Sequence, residues 1–142
     1  MHSPEFPTTD GRATFAICPM PQSPIKTNEG STFKLMTVRS EGQFNTVVYD
    51  KEDRYRGVKF RDVIFMNTVD IHSLSIQKGE RVTVKNSTGI LDNQEVVEYP
   101  IKPGNVMMYY PEANILVPRK YDSKSQTPSF KSIDVKITKK TC

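Results

Sequence analysis

The sequence contains few of the residues from which metal centres and disulfides are built. Its two cysteines, Cys18 and Cys142, lie far apart, and the second is the last residue of the chain. They form no CxxC pair, and their spacing matches neither a zinc site nor an iron–sulfur set. We therefore expect two reduced thiols and no metal bound by this chain alone.

Catalytic motifs are missing as well. The sequence contains no GxSxG, HExxH, GxGxxG or GxxxxGK[ST] segment, and His2 and His72 are its only histidines. We expect His72 to be a surface residue of a short helix, because no nucleophile motif accompanies it. The pair Gly30 and Ser31 is expected to form a loop turn. No catalytic residue is predicted in this chain.

Long apolar segments are also absent. No stretch approaches the roughly 20 apolar residues of a membrane span, and residues 1–7 lack the basic and apolar parts of a signal peptide. With 142 residues, 36% hydrophobic and 25% charged, the chain is predicted to be one soluble globular domain in the cytoplasm.

The net charge of +4 raises the question of a nucleic-acid partner. Lysines and arginines are scattered, however, and the only dense basic run is Lys136 to Lys140. Binding to a phosphate backbone requires a continuous basic face, so we expect no nucleic acid and no membrane as partner. A modest positive charge equally suits an anionic cofactor.

Alternation of apolar and polar residues, with proline and glycine between segments, predicts a mainly β protein with a closed barrel. Asn67 is expected to cap a short helix from Thr68 to Ser75. The unpatterned apolar run at Phe33 predicts a strand buried on both faces. The predicted strands are Gly11 to Ile17, Phe33 to Val38, Val63 to Met66, Arg81 to Lys85, Gln94 to Tyr99, Val106 to Tyr109 and Ser132 to Ile137.

A polar cluster follows the apolar run of the second predicted strand, from Thr37 to Thr46. Arginine, glutamate and amide side chains at one strand end suit a large polar ligand with phosphates and a base. A simple polar turn between strands is the alternative. The pair Tyr109 and Tyr110 follows another buried strand, so one ring is expected to pack inward while the other is available for stacking.

These segments together resemble the molybdopterin dinucleotide-binding domain. This domain is the C-terminal part of formate dehydrogenase-like molybdenum or tungsten oxidoreductases. The resemblance covers Gly11 to Ile137, and residues 6–15 resemble the segment that leads into the domain. Its motifs are Thr37 to Arg39 with Gln43 to Asn45, Val63 to Asn67 with Asp70, Tyr110 to Asn114 with Leu116 and Val117, and Thr127 and Pro128 with Phe130 and Lys131.

The resemblance implies a double-psi β-barrel with one or two short helices. The domain would run from residue 11 to 137, after a loose arm at 1–10 and before a basic tail at 138–142. Where formate dehydrogenase-like relatives have a histidine–tyrosine pair, this chain has Gln43 and Phe44, as in a sister branch of unassigned oxidoreductases. Formate is therefore not implied as the substrate.

The resemblance further implies binding of molybdopterin guanine dinucleotide in its bis form (bis-MGD). The metal would be held elsewhere in a parent oxidoreductase, whose remaining polypeptide or large subunit is the expected partner. The module alone is not expected to be catalytic. A basic β-barrel that binds nucleic acid, or an adaptor domain, is the alternative. The implied cofactor-binding residues are Thr37, Arg39, Ser40, Glu41, Gln43, Asn45, Tyr110, Asn114, Phe130 and Lys131.

Overall fold

A computed structural model of the protein describes residues 5–20 and 32–140. The described regular elements are six strands, one α-helix and one 3-10 helix. The strands are β1 (Thr32–Val38), β2 (Val63–Met66), β3 (Arg81–Lys85), β4 (Ile90–Glu98), β5 (Asn105–Tyr109) and β6 (Ile133–Lys139). The α-helix, α1, is Thr68–Ser73, and the 3-10 helix is Glu112–Leu116. No helix in the described ranges is long and apolar enough to cross a membrane.

The six strands close into a barrel in the order β1-β5-β2-β4-β3-β6. The pairs β1–β5 and β2–β4 are parallel, and the other four pairs are antiparallel. Exchanging β1 with β4, β2 with β5 and β3 with β6 reproduces the same order and the same directions, so the barrel has an internal twofold pseudosymmetry. The fold is a double-psi β-barrel, which confirms the predicted fold class.

The barrel interior is filled by alternate side chains of the strands, as the two-residue period of a strand requires. Phe33 and Leu35 of β1 point inward, whereas Met36 is 37% exposed, so the prediction that this strand is buried on both faces is wrong. All four residues of β2 are buried, so this strand is covered on both faces. Its outer face packs in a second apolar cluster, formed by Val58, Val63, Phe65, Met107 and Tyr109.

Helix α1 begins as predicted. The Asn67 side chain accepts a hydrogen bond from the backbone N–H of Val69 at 2.8 Å. The helix ends at Ser73, two residues earlier than expected, and Ser75 has a positive φ of 53°. Asp70 is buried and accepts a hydrogen bond from the Gly104 N–H at 2.8 Å, so it ties the helix to the turn before β5.

The structure differs from the sequence prediction at residues 11–17 and at the end of β6. Residues 11–17 form no strand, because an isolated extended segment has no ladder partner, and Phe15 and Ile17 are at least 90% exposed. Strand β6 continues to Lys139, two residues into the predicted tail, because Thr138 and Lys139 pair with β3. Cys18 is exposed and unpaired. The Gly30–Ser31 turn and Cys142 lie outside the described residues.

Candidate functional site

The candidate site lies at the rim of the barrel where β1 and β5 end. These neighbours are parallel and in register at Val38 and Tyr109, and the Tyr110 N–H donates to the Val38 carbonyl oxygen at 2.8 Å. The polar cluster that follows β1 therefore leaves the barrel beside Tyr110. The segments after β1 and β5 are far apart in sequence but adjacent in the fold, as the predicted cofactor site requires.

Two cations without a carboxylate partner occupy this rim. The Arg39 guanidinium is exposed and lies 5.9 Å from the centre of the Tyr110 ring. Lys131 donates its ammonium to the Thr37 carbonyl oxygen. Burial, and then repulsion from the Arg39 charge, lower the pKa of Lys131. Within the described residues neither cation forms an ion pair, so this part of the rim has uncompensated positive charge.

Thr37 and Phe130 hold the two cation-bearing segments together. The backbone N–H and the hydroxyl of Thr37 both donate to the Phe130 carbonyl oxygen at 3.2 Å. The Phe130 ring is partly buried and packs against the main core. Both residues therefore fix the Lys131 segment against the end of β1.

Ser40 and Gln43 point into the protein. Gln43 has no exposed surface; its side-chain oxygen accepts from the Ser40 backbone N–H at 3.1 Å, and its amide donates to the Tyr110 carbonyl oxygen at 2.7 Å. The Ser40 hydroxyl is 2.7 Å from a guanidinium nitrogen of Arg61. The polar atoms of both side chains are therefore hydrogen-bonded within the chain and are not presented at the surface of the rim.

Glu41 and Asn45, in the segment after β1, and Asn114, in the 3-10 helix after β5, are all exposed. Glu41 lines a groove of about 580 Å³ that contains three carboxylates and two cations. The groove residues are Glu41, Gly42, Asp50, Lys51, Glu52 and Arg54. This groove therefore contains carboxylates, whereas the rim carries the two cations Arg39 and Lys131.

Arg61 was not among the predicted site residues. It carries the buried positive charge behind the rim. Its side chain is 5% exposed and pairs side-on with Glu112, from Nε to one carboxylate oxygen at 2.6 Å and from Nη2 to the other at 3.1 Å. The guanidinium carbon lies 3.7 Å from the Tyr49 ring centre and 4.4 Å from that of Tyr109. Such stacking and bidentate pairing are the usual way in which a buried guanidinium is stabilised.

The charges around Arg61 shift the titration of its neighbours. Burial alone would raise the pKa of Glu112, but the hydrogen bond from Arg61 and further hydrogen bonds outweigh it, and the pKa is lowered overall. Burial and the hydrogen bond to Glu112 raise the pKa of Tyr49, whose hydroxyl donates to Glu112 at 3.0 Å. Glu112 is therefore held as a carboxylate and Tyr49 as a neutral phenol.

A second, partly buried arginine fixes the backbone at Arg39. Arg56 donates from Nη1 to the Arg39 carbonyl oxygen at 2.9 Å and to Asp53 at 2.7 Å. The Tyr109 hydroxyl donates to the same Asp53 oxygen at 2.8 Å. Burial would raise the pKa of Asp53, but the hydrogen bonds from Tyr109 and Arg56 lower it overall.

The sequence did contain a signal for the Arg61 pair. Arg61 and Asp62 stand directly before an entirely apolar strand, and Glu112 lies inside the motif Tyr110 to Asn114. A charged residue at the entrance of a buried strand must find a partner. The identity of the partner, 51 residues away, required the fold. His72, by contrast, is exposed on α1, as expected.

A family model described as "Molydopterin dinucleotide binding domain" matches residues 33–134. The chain belongs to this family. The match includes the rim, Arg56, Arg61 and four of the six strands in full. The predicted family membership is therefore confirmed.

Relatives of this molybdopterin dinucleotide-binding domain include longer oxidoreductases. An uncharacterized oxidoreductase of Mycobacterium tuberculosis is 38% identical over 144 residues, which cover 94% of this chain and 18% of that protein. The protein YdeP of Escherichia coli is 37% identical over 116 residues, 75% of this chain and 15% of that protein. The chain thus spans less than a fifth of the length of these relatives.

Among solved structures, acetylene hydratase from Pelobacter acetylenicus contains a similar domain. The TM-score is 0.56 at 15% sequence identity, and the match covers 75% of this chain and 18% of that one. At this identity the likeness supports the fold alone.

Proposed function

We propose that this domain binds the guanine dinucleotide form of the molybdopterin cofactor as the C-terminal module of a longer, formate dehydrogenase-like oxidoreductase. Family membership supports the dinucleotide cofactor. The observation that carries the proposal for these residues is the Arg39 and Lys131 pair at the rim, since both are cations without a carboxylate partner in the described part of the chain.

The pair fits the phosphates of a dinucleotide. Burial, and then repulsion from the nearby Arg39 charge, lower the pKa of Lys131. A pyrophosphate would relieve this repulsion, because guanidinium and ammonium groups both form charge-assisted hydrogen bonds with phosphate oxygens. Arg39 and Lys131 are therefore proposed as phosphate ligands.

The remaining exposed residues fit the ring systems. Tyr110 presents a half-buried ring beside Arg39, and Asn45 and Asn114 present amides with both donors and acceptors. Guanine carries adjacent N–H donors, which a carboxylate such as Glu41 can accept as a pair. This complementarity supports the guanine form. Thr37, Ser40, Gln43 and Phe130 are proposed to support these contacts from behind.

The bound cofactor would supply redox chemistry at molybdenum or tungsten, held by ligands in the rest of the parent protein. The residues of this chain bind and orient its organic part. The formate dehydrogenase-like character of the parent is proposed from the resemblance alone, and formate is not proposed as its substrate because Gln43 and Phe44 replace the histidine–tyrosine pair of those relatives.

Titration of the 142-residue chain with guanosine diphosphate, followed by NMR chemical shifts, tests the proposal. Shifts should centre on Arg39, Tyr110 and Lys131, and adenosine diphosphate should produce smaller ones. Lys131→Ala should weaken binding, whereas Lys124→Ala, an exposed lysine in a surface turn, should not.

No shift with either nucleotide at low salt would refute the binding function. Equal shifts with both would refute the guanine preference. Tighter, steeply salt-dependent binding of single-stranded nucleic acid would favour a nucleic-acid-binding barrel. At the level of the whole enzyme, a parent oxidoreductase that lacks this domain should lose its cofactor, and an unchanged molybdenum or tungsten content would contradict the proposal.

A further inference from the structure

We propose that Arg61 is the positioning residue of the phosphate-binding rim, because its buried guanidinium joins the two segments that carry Arg39 and Tyr110. The inference rests on the proposed function. It concerns a residue whose side chain is only 5% exposed and therefore lies behind the ligand-facing surface of the rim.

Arg61 joins the segments after β1 and β5 by hydrogen bonds. Arg61 donates from Nη1 to the Ser40 hydroxyl at 2.7 Å and from Nη2 to the Gln43 side-chain oxygen at 3.0 Å, both in the segment after β1. It also donates from Nη2 to the Tyr110 carbonyl oxygen at 2.6 Å, and it pairs with Glu112, both in the segment after β5. One guanidinium thus binds both sides of the rim.

These bonds also restrain the side chains that are proposed to face the ligand. Ser40 directly follows Arg39, and the Tyr110 carbonyl belongs to the residue whose ring lies 5.9 Å from the Arg39 guanidinium. Holding Ser40 and the Tyr110 carbonyl therefore restricts where Arg39 stands relative to the ring. Preorganisation of this kind improves binding by reducing the ordering cost paid when the ligand arrives.

The proposed role requires an arginine at position 61. The guanidinium lies between the Tyr49 and Tyr109 rings and uses its planar fork in several directions at once. Lysine has a similar charge but a single ammonium, which cannot reproduce bidentate pairing and stacking together. Arg61→Lys should therefore keep the buried charge and lose the connection.

The test compares Arg61→Lys with Arg81→Lys. Arg81 is the control because it pairs with two carboxylates, Asp62 and Glu95, and none of its side-chain hydrogen bonds reaches the segments after β1 or β5. Two measurements are made on each folded variant below its unfolding midpoint. The first is the ring-current shift that Tyr110 imposes on the Arg39 side chain without ligand, and the second is the affinity for guanosine diphosphate.

We expect Arg61→Lys to lose the ring-current shift and to bind guanosine diphosphate more weakly by about tenfold or more, while Arg81→Lys keeps both. Both variants should lower the unfolding midpoint, so a purely structural role would not separate them. If Arg61→Lys does not fold, Ser40→Ala removes a single bond of the connection and should reduce the same two signals by a smaller amount.

Retention of the ring-current shift and of wild-type affinity in folded Arg61→Lys would overturn the inference and leave the proposed function intact. Equal loss in both lysine variants would overturn it too, since the effect would then be general. If the wild-type chain binds no guanosine diphosphate but Arg61→Lys still displaces Arg39 from Tyr110, the proposed function fails and the positioning role stands.

Discussion

The hydrogen bond between the Tyr109 hydroxyl and Asp53 permits a quantitative prediction about stability. The Asp53 side chain has no exposed surface, and it accepts from Tyr109 at 2.8 Å and from Arg56 at 2.7 Å. Tyr109→Phe removes one of these donors and keeps the ring, which packs edge-on against Phe65 at 5.5 Å between ring centres. The substitution therefore isolates one hydrogen bond to a buried carboxylate.

The expected cost follows from the charge of the acceptor. A hydrogen bond to an ionised group contributes about 1.5–3 kcal/mol, and Arg56 still compensates the Asp53 charge in the variant. For a domain of this size, about 4 °C of unfolding temperature corresponds to each kcal/mol, so the midpoint should fall by roughly 6–12 °C. The free energy of unfolding should be taken from urea titrations at pH 7.

The pH dependence provides a second check. The folded-state pKa of Asp53 is lowered, so its contribution to stability is complete above its unfolded pKa of about 3.9 and is lost as the pH falls through the folded value. Burial and the Asp53 contact raise the pKa of Tyr109, so the wild type also loses stability above pH of about 10, where the unfolded chain ionises first. The difference between wild type and variant should therefore be greatest between these limits.

Tyr99→Phe is the matched control. Tyr99 packs against the same Phe65 ring at 5.2 Å, and its hydroxyl forms no hydrogen bond with the described residues. Its removal should change the free energy of unfolding by no more than about 0.5 kcal/mol. An equal effect of both substitutions, or a Tyr109→Phe effect that does not vary with pH, would refute the reasoning.

Three further predictions concern the polar side chains Arg61, Asn67 and Lys131. Arg61→Ala should lower the free energy of unfolding by about 3–5 kcal/mol, because it leaves a partly buried carboxylate without its partner, whereas Arg54→Ala, 87% exposed, should have almost no effect in the same urea titration. Asn67→Ala should cost about 1–2 kcal/mol by thermal unfolding, because it removes the helix cap and the 2.6 Å bond to the Ile101 carbonyl. Inorganic pyrophosphate, or Arg39→Ala, should raise the pKa of Lys131, followed by NMR of the labelled side chain.

Each of these has an outcome that would count against it. Equal destabilisation by Arg61→Ala and Arg54→Ala would deny the importance of burial. An unchanged unfolding midpoint in Asn67→Ala would mean that the cap contributes nothing. A Lys131 pKa that does not respond to pyrophosphate would remove the principal argument for a phosphate site at the rim.

Much of the barrel was predictable from local pattern. Strands β2, β3 and β5 were predicted within one residue, since each is a short apolar or alternating run between turn residues. The Asn67 cap was predictable because a capping side chain acts within three residues of its own position. The failed strand at residues 11–17 has the same alternation, which shows that pattern alone does not supply a pairing partner.

The site was only partly predictable. The sequence predicted both Arg39 and Lys131 as cofactor-binding residues, and the fold places them near one another. It also selected Gln43, whose amide is entirely used inside the protein, and it missed Arg61, whose partners lie 18 to 51 residues away. Whether a polar side chain faces outward or inward depends on contacts that no local window contains.

The order of residues thus determined the positions of β2, β3 and β5, the helix start and the family to which the domain belongs, because these depend on periodicity and short motifs. The closed strand order decided the rest: parallel pairing of β1 with β5 brings Arg39 beside Tyr110, and the return of β6 brings Lys131 to Thr37. These charges lie together only because distant segments are held in place, and the buried Arg61 binds the segments after β1 and β5 at the same time.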